Sequence, residues 1–210
     1  MIISPKRKFA FVHIPKTGGT SFMRAYEDRA AADDILIGDT PKARRRRHRL
    51  DRLKTPGRLW KHSRMSDVGD LVGEDFLVCA LVRNPWDRMV SYYYWLRAQS
   101  FSHPAVAIAK SQEFKAFLRD PSIQNAERNS AAKSYVRGSD GANRQTVFVR
   151  IEFPDDFAPV WEHLGFRLTL PHLNASERAK DWRVYYGPEE IEIVADLAGQ
   201  DIAQFGYSPE

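Results

Sequence analysis

Apolar and polar residues along the chain follow two periods, one typical of buried strands and one typical of amphipathic helices. Short apolar runs predict strands near residues 9–14, 76–82, 146–152 and 166–170, with a weaker one at 35–37. Helical periodicity predicts helices at 19–30, after 63, and at 85–98, 112–118, 155–163 and 188–205. This alternation favours an α/β fold, with a parallel sheet flanked by helices and ligands at the carboxyl ends of its strands.

Length and composition indicate one domain. A chain of 210 residues with 43% hydrophobic content can bury one sizeable core, so we expect a single domain spanning residues 1–210. The polar stretch 120–145 is expected to form loops or a lid. No apolar run suits a membrane span or signal peptide, so we expect a soluble, cytoplasmic protein. The single cysteine, Cys79, excludes an internal disulfide and is expected to pack in the core.

The first motif of a binding site lies where the strand near residue 9 ends. It consists of Lys16, Thr17, Gly18, Gly19, Thr20 and Ser21, followed by a predicted helix. The two glycines let the backbone fold tightly against an anion, while unpaired N–H groups at the helix start and the polar side chains supply donors. We therefore expect residues 16–21, hereafter the anion loop, to bind a phosphorylated or sulfated nucleotide.

The order of residues in the anion loop differs from that of the Walker A motif. In Walker A, Gly-x-x-x-x-Gly-Lys-Ser/Thr, the lysine follows the last glycine. Here Lys16 precedes both glycines. A Pro-Lys-Thr-Gly-Gly-Thr-Ser turn after an N-terminal strand resembles the loop with which sulfotransferases bind the 5′-phosphosulfate of 3′-phosphoadenosine 5′-phosphosulfate (PAPS).

A second motif follows the predicted strand 76–82. Arg83 stands at the carboxyl end of that strand, Pro85 suits the first turn of the next helix, and Ser91 lies about two turns into it. The Arg83 guanidinium and the Ser91 hydroxyl can converge on one anion at the sheet edge. This pair resembles the element that binds the 3′-phosphate in sulfotransferases.

Together the two motifs resemble the carbohydrate type of PAPS-dependent sulfotransferase, which includes the heparan sulfate 2-O-sulfotransferases. The resemblance implies a three-layer, P-loop-like α/β fold and PAPS as the donor, with no metal required. It also implies transfer of a sulfuryl group to a hydroxyl of a sugar or glycoconjugate. Asn174 and Ser176 could complete the adenine or 3′-phosphate end of such a site, or cap a nearby helix.

Sulfuryl transfer needs a base for the acceptor hydroxyl and a cation for the leaving phosphate. Lys16 is the expected cation, because the anion loop would hold its ammonium near the bridging oxygen. The resemblance places the base between the two motifs, where His62 stands, and an imidazole suits proton abstraction at neutral pH. Glu152 is the carboxylate alternative, whereas His13 is expected to be a satisfied strand residue.

A run of basic residues does not by itself identify the binding partner of the protein. Residues 42–54 hold eight Lys and Arg residues against one carboxylate, Asp51, which suits an acidic acceptor or nucleic acid but equally a solvated surface. Two other functions are alternatives to sulfotransfer. One is a nucleotide-dependent kinase or NTPase, disfavoured by the missing Walker A order. The other is a non-enzymatic polyanion-binding protein; we expect no nucleic acid partner for the leading hypothesis.

Overall fold

Five strands form one sheet in the computed structural model, which describes residues 1–139, 141, 144–171, 173 and 177–209. The strands are β1 (Ile2–Ser4), β2 (Phe9–Val12), β3 (Ile35–Leu36), β4 (Leu77–Val82) and β5 (Thr146–Arg150), in the order β3-β1-β2-β4-β5. β2, β4 and β5 are parallel, as predicted, whereas β1 pairs antiparallel with β2 and β3. The sheet is therefore mixed, with a parallel centre and an antiparallel edge.

Helices occupy most of the remaining chain. They are α1 (Gly19–Glu27), α2 (Pro41–Arg46), α3 (Met65–Val68), α4 (Pro85–Arg97), α5 (Pro104–Ser111), α6 (Phe114–Arg119), α7 (Pro121–Arg128), α8 (Ala132–Val136), α9 (Ala158–Leu164), α10 (Pro188–Leu197) and α11 (Gly199–Phe205). Short 3-10 helices lie at Arg47–Arg52, Gly69–Leu71, Pro154–Phe157 and Trp182–Tyr185. In the part of the chain that the structure describes, no helix is long and apolar enough to cross a bilayer.

Contacts divide the chain into two compact units. The first, residues 1–82 and 132–173, contains the whole sheet, and the second comprises residues 83–131 and 174–210. Each unit has its own apolar core. In the first, side chains of α1 and α9 pack on one face of the sheet, where the buried Cys79 lies as expected. In the second, the core forms between α4 and the helices around it. The single domain spanning residues 1–210 stays a prediction.

Two segments have a different type of secondary structure from the one predicted. Residues 120–145 hold α7 and α8 instead of loops alone, because the first turn of α7 has a proline and an Asp120 cap that accepts a hydrogen bond from the Ser122 N–H. Residues 166–170 do not form a strand. Phe166, Leu168 and Leu170 are each partly buried against the core of the first unit, so their alternation reflects packing and not a hydrogen-bonded ladder.

The sheet register places the anion loop. Val12, the last residue of β2, pairs with Ala80 of the parallel strand β4, so the two strands run to the same edge of the sheet. The chain leaves β2 at that edge and enters α1 at Gly19. The anion loop therefore lies at the carboxyl end of a parallel strand, where α/β sheets bind their ligands.

Candidate active site

Two residues with positive φ shape the anion loop. Lys16 (φ 65°) and Gly18 (φ 81°) adopt the left-handed conformation, which costs a non-glycine residue about 1–2 kcal/mol. The Thr17 hydroxyl donates to the carbonyl oxygen of Ile14 at 2.9 Å. The Ser21 and Phe22 N–H groups donate to the Gly18 carbonyl at 3.0 and 3.3 Å and thereby start α1. Backbone strain at Lys16 is held in place by these bonds, as is common at functional sites.

The start of α1 offers donors to an anion. The N–H groups of Gly19 and Thr20 donate to no other described residue, and no acidic side chain lies in the first turn of the helix. Ser21 Oγ accepts from the Leu173 N–H at 3.4 Å, which leaves its own O–H to donate. The Thr17 hydroxyl points into the loop and is buried, so this residue can contribute to an anion site only through its backbone. Free N–H groups and the helix dipole both favour a phosphate or sulfate here.

His62 lies in the same unit as the anion loop, just before α3. Its Nδ1 is 2.8 Å from the backbone carbonyl oxygen of His13. Because a carbonyl oxygen only accepts, the Nδ1 of His62 must carry the proton, and the Nε2 of the neutral ring is free to accept one. Burial lowers the pKa of His62 from 6.5 to about 4 against the opposing effect of that hydrogen bond. The ring is thus a neutral base at pH 7.

His13 does not match its expected role as a satisfied strand residue. It follows β2 instead of lying within it, and its side chain is 5% exposed. Its Nδ1 is buried and has no hydrogen-bond partner among the described residues. Burial, reinforced by electrostatic interaction with the neighbouring His62 when that ring is protonated, lowers the pKa of His13 well below the usual value, so this ring is also neutral at pH 7.

The second motif lies in the second unit and has the predicted helix. Asn84 caps α4 by accepting from the N–H groups of Trp86 and Asp87 at 3.1 and 3.2 Å. Asp87 accepts from Arg83 Nε at 2.7 Å and also binds Arg178. The Asp87 carboxylate therefore binds both guanidinium groups. Ser91 is buried on α4. The role of Asp87 is not apparent from the sequence, because its partner Arg178 is 91 residues away in the chain.

The basic run is folded on the surface of the first unit. It forms α2 and the 3-10 helix that follows. The Ala43 N–H donates to the buried carboxylate of Glu27 at 2.8 Å, and Arg46 donates to the carbonyl of Ala31 at 2.8 Å. These bonds fix the backbone while the side chains of Arg44 and Arg45 are exposed. The ordered cations present a positive surface.

The basic run is linked to the neighbourhood of His62 by Asp39. Its two carboxylate oxygens lie 3.5 Å from Arg47 and 3.1 Å from Lys61, the residue before His62. Partial burial alone would raise the pKa of Asp39, but its hydrogen bond with Lys61 and the surrounding cations lower it. Trp60 is 50% exposed and meets the His62 ring edge to face at 5.1 Å.

Three other residues are candidates for the site on the basis of the sequence: Asn174, Ser176 and Glu152. Asn174 and Ser176 lie outside the described residues. Glu152 is exposed just after β5, and the neighbouring Arg150 pairs with Asp156 at 2.7 Å. The structure brings the His62 ring against His13, whose own ring lies beside Gly19 of the anion loop.

Comparison with known proteins identifies related sequences and folds. A family model described as "Sulfotransferase family" matches residues 1–151. No curated protein matches the sequence. Among solved structures, mouse sulfotransferase SULT7A1 complexed with PAP has a similar fold, with a TM-score of 0.55. The similarity covers 96% of this chain and 87% of that chain at 14% identity. This likeness confirms the predicted α/β fold class.

Proposed function

This chain belongs to the sulfotransferase family, and we propose that it transfers a sulfuryl group from PAPS to a hydroxyl of a sugar or glycoconjugate. The second product would be adenosine 3′,5′-bisphosphate, and the acceptor would leave as a sulfate ester. Support comes from the family match over residues 1–151, and from the similar fold of a sulfotransferase complexed with PAP.

The anion loop suits the phosphosulfate end of the donor. It presents the N–H groups of Gly19 and Thr20 at a helix N-terminus, with a lysine at its head and no acidic residue in the first turn. PAPS supplies an activated sulfuryl group whose leaving group is a phosphate. We assign Lys16 to neutralise charge on that phosphate, together with the donors of Thr20 and Ser21.

The observation that carries the proposal is the hydrogen bond from His62 Nδ1 to the His13 carbonyl at 2.8 Å. It directs the unprotonated Nε2 away from the backbone, ready to take the proton of an acceptor hydroxyl. The imidazolium that forms keeps its Nδ1–H bond to the carbonyl, which stabilises the new positive charge. His62 is therefore assigned as the general base.

The second unit provides a candidate for the 3′-phosphate. Arg83 is oriented by its 2.6 Å ion pair with Asp87, and Arg178 shares the same carboxylate. A guanidinium group can bind a phosphate dianion through two parallel N–H donors. We assign Arg83 to this phosphate, with Ser91 as a hydroxyl donor.

The acceptor is proposed to be a saccharide that carries negative charge. Trp60 presents a half-exposed ring next to the base, and such a ring offers an apolar face to a sugar. Between residues 39 and 61 the chain holds ten Lys and Arg residues against two carboxylates. Their field would attract an anionic chain and raise its rate of association.

A transfer assay with PAPS tests this function. We expect sulfate ester formation on an acidic saccharide such as a uronic acid polymer, and loss of transfer by about 10²–10⁴-fold in His62→Gln. Neutralising Arg44 and Arg45 to Gln should raise KM for the acidic saccharide while leaving the affinity for adenosine 3′,5′-bisphosphate unchanged. Equal KM values for acidic and neutral saccharides in wild type would contradict the anionic acceptor. Binding of nucleic acid without any transfer would favour the polyanion-binding alternative.

A further inference from the structure

The side chain of His13 fills the space beside the anion loop. A Cβ atom placed on Gly19 would lie only 2.1 Å from Cδ2 of His13 and 2.5 Å from its Nε2. Real Cβ atoms do not approach other atoms so closely, so any side chain at position 19 would displace the imidazole. Gly19 is thus required by the His13 ring and not by its own backbone conformation, since its φ is not positive.

The same residue contacts the base. The rings of His13 and His62 meet edge to face with centroids 4.6 Å apart, and the His13 carbonyl accepts from His62 Nδ1 at 2.8 Å. A single residue therefore touches the first residue of α1 with its ring and the base with both its ring and its backbone.

Packing alone holds the His13 ring. The ring makes no hydrogen bond to any described residue, and its buried Nδ1 is left unsatisfied. Leaving a buried polar atom without a partner costs about 1–3 kcal/mol, which an apolar ring of similar size would avoid. Because no hydrogen bond fixes the ring, its position is set by Gly19 on one side and His62 on the other.

We propose that His13 is a positioning residue that couples the anion loop to the base. Its ring transmits the position of the first turn of α1 to His62, and it excludes water from the inner face of the base. This inference rests on the proposed function only for the role of His62. The packing between residues 13 and 19 is independent of any reaction.

A double-mutant cycle tests the packing. Gly19→Ala should weaken binding of adenosine 3′,5′-bisphosphate by at least about 10-fold, because its methyl group must displace the ring or move the backbone. Adding His13→Ala opens the space, so the double variant should bind within about 3-fold of His13→Ala alone. Urea unfolding of the four proteins should show the same non-additivity. Additive effects in both measurements would overturn the proposal.

The pH dependence of kcat/KM tests the link to the base. His13→Ala keeps the carbonyl but admits water, so the acid limb should move from near pH 4 towards about 6.5. His13→Phe keeps a ring and should retain the wild-type limb, which makes it the matched control. The other charged groups that face these two rings are the Met1 amino group, Lys16, Asp39 and Lys61, and both variants leave them unchanged.

The two measurements separate the possible outcomes. A merely structural role would lower kcat in His13→Ala without moving the acid limb, and this result would overturn the positioning role. If wild type binds no adenosine 3′,5′-bisphosphate, the proposed function fails, and the unfolding cycle alone still tests the coupling of residues 13 and 19. If His13→Ala does not fold, Gly19→Ala in the His13→Phe background must stay as damaging as in wild type, because the ring still blocks the methyl group.

Discussion

Acidification perturbs the environment of His62 directly. Burial lowers the pKa of His62 to about 4 in the folded protein, whereas an imidazole in an unfolded chain titrates near about 6.5. Between these two values the unfolded chain binds a proton that the folded protein does not. Stability from His62 is therefore complete above the unfolded pKa and is lost as pH falls towards the folded pKa.

The size of this effect follows from the two pKa values. At pH 5 the unfolded imidazole is about 97% protonated and the folded one about 10%, so the shift from pH 7 to pH 5 removes about 2 kcal/mol. The same protonation governs activity. At pH 5 about nine-tenths of folded His62 would still be a competent base, against about 3% for an ordinary histidine.

Urea unfolding of wild type and His62→Gln at pH 7 and pH 5 measures this difference. The glutamine amide can still donate to the His13 carbonyl, but it does not titrate. We expect the loss of unfolding free energy between the two pH values to be about 2 kcal/mol smaller in the variant. Burial is the main cause of the lowered pKa values of His13 and the Met1 amino group, and it acts in both proteins, so its contribution cancels in the comparison. Equal losses of unfolding free energy in the two proteins, or an acid limb of the wild-type kcat/KM near pH 6.5, would contradict the lowered pKa of His62.

Three further predictions concern the loop, the basic run and the second motif. In urea, the free energy of unfolding of Lys16→Gly should be about 1 kcal/mol higher than that of Lys16→Ala, because only glycine adopts the φ of 65° without strain. Both variants should lose sulfuryl transfer. Glu27→Ala should destabilise the protein by about 2 kcal/mol and weaken acidic-saccharide binding, since the Glu27 carboxylate anchors α2; unchanged stability would argue against that anchor. Arg83→Lys should raise the Kd for adenosine 3′,5′-bisphosphate about 10-fold in calorimetry, because a lysine lacks the two parallel donors, and a wild-type Kd would exclude Arg83 from the 3′-phosphate site.

Sequence patterns predict the centre of the fold better than its periphery. β2, β4 and β5 are found near the predicted positions because each is a continuous apolar run followed by a turn. β1 has only three residues, too few to establish a period, and its position depends on pairing with β2 and β3. The predicted helix 188–205 is two helices, α10 and α11, since Gly199 begins a new one.

In the candidate site, too, sequence patterns predict some residues and not others. The anion loop and Arg83 are apparent from the sequence because short-range order of Gly, Lys and Arg after a strand determines them. The pairing of Asp87 with Arg178 is not, because it joins positions 91 residues apart. The role of His13 depends on two contacts, one with Gly19 and one 49 residues away with His62, that only folding creates. Long-range contacts therefore account for what sequence patterns could not predict.

Calorimetric titration with adenosine 3′,5′-bisphosphate, in parallel with ATP and magnesium, tests the central claim most directly. We predict tight binding of the bisphosphate by wild type, weakened by both Lys16→Ala and Arg83→Ala, with ATP bound more weakly. His62→Gln should bind the bisphosphate like wild type, because the base contributes to transfer and not to nucleotide affinity. Absence of bisphosphate binding, or preference for ATP with magnesium, would contradict a PAPS-dependent sulfotransferase.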